Sequence, residues 1–569
     1  MKISNSVLSM KWLLIGGLML VPPLVRAQNS LDPAAQQAID KIFSEYGHAG
    51  KPALAVAAIK GGKLVFQKVV GQANLEYKVP ATADTRFHVN AQAWEFVAFA
   101  ILNLEDQGKL SLSDDVRTYL PEVPDFGKKI SINHLLSSTD GLYSYSGINA
   151  LTGSRSKEVD QVGKIPDYIK HQKRLNFAPG EVFSVRGDTR FVLLKKIVEV
   201  VSGQSFEAYS KAQIFDPLGM VNTIFLAAPN PSLENLATPY ALDGSGKYQL
   251  SQGEGNAAGM MNLYSSLRDM TTWRQHVRSH KLASKLQSPL KLDNGAPIRG
   301  MAGVSIYGQQ HFGQERGIPK TFQAGSFGGY TSVFFGFPGH DMTVITLGSG
   351  GGYNGRYGMN VAYQFLPGAF PEPETIDYTK IEGVKMSPAE LQKYEGKFWN
   401  AKASVASVLH MKGNVLHYNR VGGAVHNELI PLSDTVFQMK VEGDDTLLLK
   451  FVEGKHGRQM HYSVTGSDPM VFESYRPATY SKSELAQFTG SYFSKELNTS
   501  YEFEENQGVL SARNLHAGSV SFEPVHADLF HGNKAFLSGV QFVRKNGVVT
   551  GFQVMVDGVR HLEFRKLRS

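Results

Sequence analysis

A chain of 569 residues with 42% hydrophobic, 19% charged and 11% aromatic side chains has the apolar mass for real cores and is not intrinsically disordered; at roughly 100–200 residues per domain it should hold about three domains. Cysteine is absent, which excludes a disulfide framework, a thiol nucleophile, Cys-ligated zinc and a lipoprotein anchor. The formal net charge is +7, three units of it on Lys2, Lys11 and Arg26, and the mild remainder gives no warrant for a nucleic-acid partner.

The first residues read as a targeting segment. Lys2 and Lys11 precede an apolar run from Trp12 to Val25, and Val25-Arg26-Ala27 offers small residues at the two positions a signal peptidase reads. A signal peptide over 1–27, cleaved after Ala27, is therefore expected. The run is short for a spanning helix, which needs about 20 residues, and no later stretch is long enough. The mature chain is expected to be exported, periplasmic or secreted, with no membrane span. Residues 31–46 place Leu31, Ala35, Ile39, Ile42 and Phe43 near one face of a helix. Residues 53–60 and 63–71 read as strands joined at Gly61-Gly62, a hairpin signal. Helices are predicted over about 91–108, ending at Gly108, and about 187–202, ending at Gly203. Residues 331–337 and 341–348 form a second predicted strand pair around Pro338-Gly339, and 356–366 a closing helix. Strands at both ends with helices between them predict an α+β domain over 28–370, its sheet completed by the last strands.

Near residue 370 the texture changes. Pro371-Glu372-Pro373-Glu374 opens a stiff polar linker, 371–377. Beyond it, short alternating strands with Gly and Asn turns predict all-β sandwiches or barrels. An internal repeat divides this part. Leu391-x-x-Tyr394-x-Gly396-x-Phe398 matches Leu485-x-x-Phe488-x-Gly490-x-Tyr492, and Val415-Leu416 matches Val509-Leu510 at the same offset of 94. Pro431 and Phe437 match Pro524 and Phe530, and Phe451-Val452 matches Phe542-Val543, at slightly smaller offsets. Two homologous β-domains are expected, over 378–478 and 479–569.

A series of segments between 87 and 220 carries a family resemblance. Phe87-His88-Val89-Asn90, Ile101-Leu102 and Gly108-Lys109-Leu110-Ser111-Leu112-Ser113-Asp114-Asp115 come first. Tyr119-Leu120-Pro121, Ile132-Asn133-His134-Leu135-Leu136, Gly141-Leu142 and Ala178-Pro179-Gly180-Glu181 follow. Val192-Leu193-Leu194, Val201-Ser202-Gly203 and Pro217-Leu218-Gly219-Met220 complete the order. Residues 31–366 thereby resemble the serine β-lactamase and penicillin-binding-protein-like family, in its class C β-lactamase, esterase and D-aminopeptidase branch. One such domain followed by two β-domains also looks like the D-aminopeptidase layout.

The resemblance implies a serine hydrolase mechanism with three parts. A Ser at a helix start attacks the carbonyl, and a Lys three residues on helps remove its proton. A Tyr-x-Asn loop relays protons, and a strand carrying Lys/His-x-Gly lines the far wall. In this chain the nucleophile position falls on Ala91 and the lysine position on Trp94. The Tyr-x-Asn loop falls on Arg186-Gly187-Asp188, or its Tyr position on Val185 if the one-residue insertion is placed differently. The Lys/His-x-Gly strand falls on Gln323-Ala324-Gly325, where only the glycine is kept. Alanine has no lone pair to attack with, and indole cannot serve as the base. Four chemical positions depart together, and the acyl-enzyme mechanism is expected to be absent.

No other catalytic set stands out. Ser154…Lys157 and Ser288…Lys291 have Ser-x-x-Lys spacing, but neither opens an apolar helix. Tyr143-Ser144-Tyr145-Ser146-Gly147 reads as a polar turn, and a chemical role for Ser144 or Ser146 as the lesser alternative. His456 and His461 suit no common zinc motif and the other histidines are scattered, so no metal site is expected. Gly348-Ser349-Gly350-Gly351-Gly352 reads as a strand-to-helix connection without the Lys of a phosphate loop, and no cofactor is expected. The Arg-Gly-Asp tripeptide at 186–188 replaces a cleft loop and is not read as a cell-adhesion signal.

The backbone N–H groups of Ala91 and Ser326 correspond to the oxyanion hole that the resemblance implies, and backbone donors survive side-chain loss. With Arg186 beside them the cleft would suit a carbonyl or carboxylate, unless Arg186 and Asp188 simply pair with each other. Trp94 offers a stacking wall or plugs the pocket. The leading expectation is an exported pseudoenzyme that binds a peptide, a carboxylate-bearing ligand or a protein partner. Two alternatives stand beside it. One is a hydrolase, lyase or isomerase rebuilt around Asp188 or Glu95, although a solvated helix face is the plainer reading of Glu95. The other is a structural module acting through its β-domains.

Overall fold

The computed structural model describes residues 32–44, 50–153, 165–184, 188–226, 233–251, 261–300, 303–307, 310–350, 355–368, 376–421, 425–441, 446–455, 457–464 and 469–568. The expected signal peptide, Val185, Arg186 and Gly187, Ser154 and Lys157, His456 and most of the linker lie outside the described residues.

The N-terminal unit is α+β. Helix α1 (Pro33–Ser44) leads into β1 (Leu54–Lys60) and β2 (Lys63–Val70). Gly61 and Gly62 join the two strands with φ of 56° and 74°, the positive pair that a two-residue turn matched to strand twist requires. Helices α2 (Ala93–Asp106), α3 (Tyr145–Thr152), α4 (Asp188–Ser202) and α5 (Leu267–Ser279) follow. Strands β3 (Arg299–Gly300), β4 (Gly303–Ile306), β5 (Gln310–Glu315), β6 (Ile318–Phe327), β7 (Tyr330–Phe337) and β8 (Met342–Gly348) precede helix α6 (Arg356–Tyr363). They form one antiparallel sheet in the order β3-β4-β5-β6-β7-β8-β1-β2. The first hairpin thus closes onto the last strand, Leu54 opposite Gly348.

The sheet is covered on both faces, which explains the unbroken apolar run of β1. Leu54, Val56 and Ala58 face a core shared with Ile39 and Phe43 of α1 and Met359, Val361 and Ala362 of α6. Ala53, Ala55, Ala57 and Ile59 face the opposite core, built on α2, α4 and α5.

The C-terminal part is two closed eight-stranded barrels, one running from Gly396 to Tyr475 and the other from Gly490 to Lys566. Each repeat match falls on equivalent strands: Val415 and Val509 on the third, Pro431 and Pro524 on the fourth, Phe437 and Phe530 on the fifth, Phe451 and Phe542 on the sixth. A short helix precedes each barrel, and each is opened by a reciprocal capping box, Ser387 with Glu390 and Ser481 with Glu484. Leu391 and Leu485 plug the two barrels at 6% and 4% exposure. The second barrel is filled by rings, among them Phe488 and Phe542 with centroids 4.6 Å apart and Phe552 and Phe564 at 4.7 Å. Trp399 and Tyr475 of the first barrel pack on Val525 and Leu529 of the second.

The second barrel also docks on the N-terminal unit. Tyr143, Ile148 and Leu151 belong to its hydrophobic core, not to that of the sheet. Tyr501 Oη donates to the Leu151 carbonyl at 2.7 Å, and Ser144 N donates to the Gly558 carbonyl at 2.7 Å.

Candidate functional site

The site is built where the start of α2 meets β6. A 3-10 turn, Asn90–Gln92, carries the chain into the helix, with Asn90 in the left-handed region at φ 50°, a conformation Asn tolerates better than most residues. Its side chain holds the turn locally. Nδ2 donates to the carbonyls of His88 at 3.2 Å and Gly325 at 3.4 Å, and Oδ1 lies 2.9 Å from His88 Nδ1. His88 is buried, and burial pushes its pKa down to about 4 against the opposing hydrogen bonds to Asn90 and the Met261 backbone.

Gly325 is where β6 comes nearest to this turn. A Cβ there would lie 2.5 Å from Asn90 Cβ and 2.7 Å from Ala91 N. Only glycine lets β6 approach the turn this closely. Two glutamines then tie the elements together: Gln323 Nε2 donates to the Ala91 carbonyl at 2.7 Å, and Gln92 Nε2 donates to the Gln323 carbonyl at 3.1 Å. Ser332 Oγ adds a 2.7 Å bond to the Val89 carbonyl. Ser326, one residue past Gly325, is exposed and sits opposite Thr331.

Trp94 points into the core. It is 4% exposed and meets Phe191 of α4 edge to face, with centroids 4.8 Å apart. Glu95 corrects the expectation of a solvated helix face. It is 2% exposed, with Oε1 and Oε2 accepting from Arg274 Nη1 at 2.7 and 2.5 Å and Oε2 accepting from Trp273 Nε1 at 3.2 Å. The guanidinium of Arg274 lies 5.8 Å from the ring centre of Phe334. The physical reason is α5, which covers this face of α2 and brings a cation to the buried acid.

The opposite side is organised by Asp188. Its Oδ1 accepts from Ser144 Oγ at 3.0 Å and Tyr145 N at 2.9 Å, and its Oδ2 accepts from Ser146 N at 2.7 Å. Here too the sequence expectation is corrected: Ser144 to Gly147 is no simple turn but the N-terminus of α3. Ser144 is its N-cap, accepting from Gly147 N at 3.3 Å, and Asp188 adds a carboxylate at the positive end of the helix.

A neighbouring pair escaped the sequence reading. Arg190 Nε donates to Asp140 Oδ2 at 2.7 Å with both side chains 1% exposed. Asp140 Oδ1 accepts from Leu142 N at 2.9 Å, and Arg190 Nη1 donates to the Ser184 carbonyl at 2.8 Å. The available signal was a cation directly before the apolar run Phe191-Val192-Leu193-Leu194, since a charge on an apolar helix stripe needs a buried partner.

The structure therefore brings Ala91, Gln323, Gly325 and Ser326 together, and Trp94 beside them in the core. Asp188 lies on the wall formed by α3 and α4. Of the second Ser-x-x-Lys, Ser288 Oγ donates locally to the Ser284 carbonyl at 2.7 Å. His461 is on a barrel strand, its Nε2 3.3 Å from Gln459 Oε1. Chemically, the described side chains at the site offer hydrogen bonds and apolar surface, while the carboxylates of Glu95 and Asp188 are engaged.

Known proteins agree with this architecture. The chain is 30% identical over 261 residues to a penicillin-binding protein of Bacillus subtilis (strain 168), PbpX, covering 44% of this chain and 60% of that one. It is 26% identical over 309 residues to a D-aminopeptidase of Gluconobacter oxydans (strain 621H), covering 52% and 55%. The chain thus spans between about half and two thirds of these relatives' length. The octameric penicillin-binding protein homologue of Pyrococcus abyssi superposes with a TM-score of 0.51 at 23% identity, over 77% of this chain and 99% of that one, which is a likeness of fold. Residues 39–366, more than half of the sequence, match the beta-lactamase family model, and the chain belongs to that family.

Proposed function

We propose that this chain is an exported, non-catalytic member of the beta-lactamase family that recognises a peptide or another carboxylate-bearing ligand at the site around Ala91. One observation carries the reading. Trp94, at the position expected for the lysine, is packed against Phe191 in the core, and Ala91 beside it carries only a methyl group. The rebuilt-enzyme alternative draws no support from its two acids. Glu95 is held by Arg274 and Trp273, and Asp188 serves as an acceptor for α3; a general base needs a free lone pair within reach of the substrate proton. What suits binding is the backbone: the N–H groups of Ala91 and Ser326, with Arg186 as the expected cation.

The test is turnover by residues 28–569 of a chromogenic cephalosporin, a p-nitrophenyl ester and a D-alanine p-nitroanilide. No rate above buffer is expected; clear turnover by the unaltered chain would end this reading, and equal rates in Asp188→Ala and Glu95→Ala would exclude these two acids as its acid–base groups. Calorimetric titration with acetyl-D-alanyl-D-alanine should show binding that Arg186→Ala weakens. Equal affinity in both chains would remove Arg186 from the site.

A further inference from the structure

The two barrels of the repeat differ at one end. In each, the capped helix that precedes the first strand closes the near end, with Leu391 or Leu485 as its plug. Odd-numbered strands run from that end to the far one, and even-numbered strands return. The far end of the second barrel is closed by the N-terminal unit. Tyr143, Ile148 and Leu151 join its core there, and Val556, which ends the seventh strand, and Leu562, on the eighth, are buried.

The far end of the first barrel has no such cover. Among the described residues, its core takes side chains only from the barrel and from the Met386–Tyr394 leader. Val405 and Leu447 open the second and sixth strands, Val464 closes the seventh, and Met470 opens the eighth. All four are packed against the core at this end yet only partly buried. Met470 and Leu562 each stand two residues before a buried ring, Phe472 and Phe564; Leu562 is covered, and Met470 is not. Val425, between the third and fourth strands at the same end, is 68% exposed. Alternation turns Leu447 inward with Leu449 and Phe451, so this ring is the mouth of the barrel and not its outer face.

Below the mouth lie the rings of Tyr418 and Tyr462, with centroids 6.0 Å apart, and Tyr418 Oη is 3.0 Å from Ser407 Oγ. The residue 94 positions after Ser407 is Tyr501, whose hydroxyl reaches out to the Leu151 carbonyl of α3. Where the second barrel sends a tyrosine up to its helix, the first has a short serine whose hydroxyl is engaged inside the barrel. The described side chains at the mouth are therefore apolar, and a contiguous apolar patch of this kind marks an interaction site.

We propose that the far end of the first barrel docks a short amphipathic helix of a partner protein, seated as α3 is seated on the second barrel. The homologous barrel supplies the chemistry of the occupant. There an aliphatic pair three residues apart, Ile148 and Leu151, enters from an eight-residue helix, the anchor spacing of helix-in-groove recognition. Because α3 is itself committed to the second barrel, the helix comes from another protein. The site does not depend on the reading given to the Ala91 region.

The experiment uses a fluorescein-labelled peptide with the sequence of residues 143–152 as the probe helix, titrated with the purified full chain and followed by fluorescence anisotropy. Saturable binding of one equivalent is expected. Leu447→Glu and Met470→Glu in the chain, and Ile148→Asp or Leu151→Asp in the peptide, should each weaken it about tenfold or more. Val425→Glu, at a position too exposed to unfold the barrel, should weaken it as well, with the unfolding midpoint unshifted. Bound peptide should also slow the oxidation of Met470 by hydrogen peroxide, read by mass spectrometry, and leave the rate at the buried Met460 unchanged. The proposal is overturned by the absence of saturable binding, by binding that is unchanged in all three chain variants, which would place the peptide elsewhere, or by stoichiometric dodecanoate binding without peptide binding, which would make the mouth a pocket for an apolar small molecule.

Discussion

The two sides of the candidate site are held by different means. On one side, β6 and the Asn90–Gln92 turn are bound by contacts made inside the family unit: the Gly325 approach, Gln323 on the Ala91 carbonyl and Gln92 on the Gln323 carbonyl. On the other, α3 and the start of α4 are held partly from outside. Ser144 N donates to Gly558 of the second barrel, Asn176 Nδ2 donates to the same carbonyl at 3.1 Å, and Tyr143, Ile148 and Leu151 enter the barrel core. The contrast shows two routes to rigidity. One uses polar cross-links inside the family unit, and the other makes a second domain part of the wall. In both, groups that could do chemistry spend their hydrogen bonds in the resting structure.

The largest effect should come from the buried pair behind the α3–α4 wall. Removing one partner of a fully buried ion pair strands the other charge and costs about 3–5 kcal/mol. Asp140→Ala and Arg190→Ala should each show this in denaturant or calorimetric unfolding, and Asp140→Leu/Arg190→Met should recover most of it. A loss under about 1 kcal/mol in both single variants would mean that the barrel, not this pair, fixes the wall.

The same substitution placed on each side sharpens the comparison. Gly325→Ala drives a methyl group into backbone at Ala91 N, 2.7 Å away, and Asn90 Cβ, and should cost about 1–3 kcal/mol. Gly147→Ala meets the tip of a side chain, Val559 Cγ2 at 2.8 Å, inside helix α3, where alanine regains roughly 1 kcal/mol of helix propensity. Val559 is fully buried and stiff at χ1, so this gain offsets only part of the clash, and the net loss should be about 1 kcal/mol, smaller than at Gly325. Comparable losses at both positions would show that the barrel contact is as unyielding as the β6 contact.

How much of this was legible follows from where each signal lies in the chain. The β1–β2 hairpin, the closing strand pair and the paired barrels are written in local alternation and in a repeat whose capping boxes keep the same offset. Gly325 was singled out only through the family resemblance, and the close approach that requires a glycine there is a tertiary contact with Asn90 and Ala91. Glu95 was misread because its partner Arg274 lies 179 residues on, and no local pattern announces that pairing. The fate of Trp94 depended on Phe191 of another helix.

Acid should act on the β6 side through His88. Its folded-state pKa is about 4 against an unperturbed value near 6.5. Between these values the unfolded chain binds the extra proton, so stability is fully retained above about pH 6.5 and falls as pH drops toward 4, by up to about 1.4 kcal/mol per pH unit from this group. His531, buried at the barrel contact and also pushed down to about 4 by burial, adds a slope of the same sign. His88→Gln and His531→Gln should each flatten the pH dependence of the unfolding midpoint. If only His531→Gln does so, acid loosens the barrels and leaves the Asn90 turn intact.

A modest effect at Asp188 distinguishes a structural carboxylate from a chemical one. Asparagine keeps one acceptor oxygen for Ser144 Oγ or Tyr145 N but turns a donor toward Ser146 N, so Asp188→Asn should cost about 1 kcal/mol. The loss should appear as faster amide exchange in α3, whose N-terminus loses both a hydrogen bond and a favourable charge. The turn at Asn90–Gln92 makes no contact with this carboxylate in the hydrogen bonds described, so its exchange should not change. If protection is lost equally at Asn90–Gln92, the two sides are one cooperative unit, and the barrel contact at Gly558 then bears on the Ala91 side as directly as on its own.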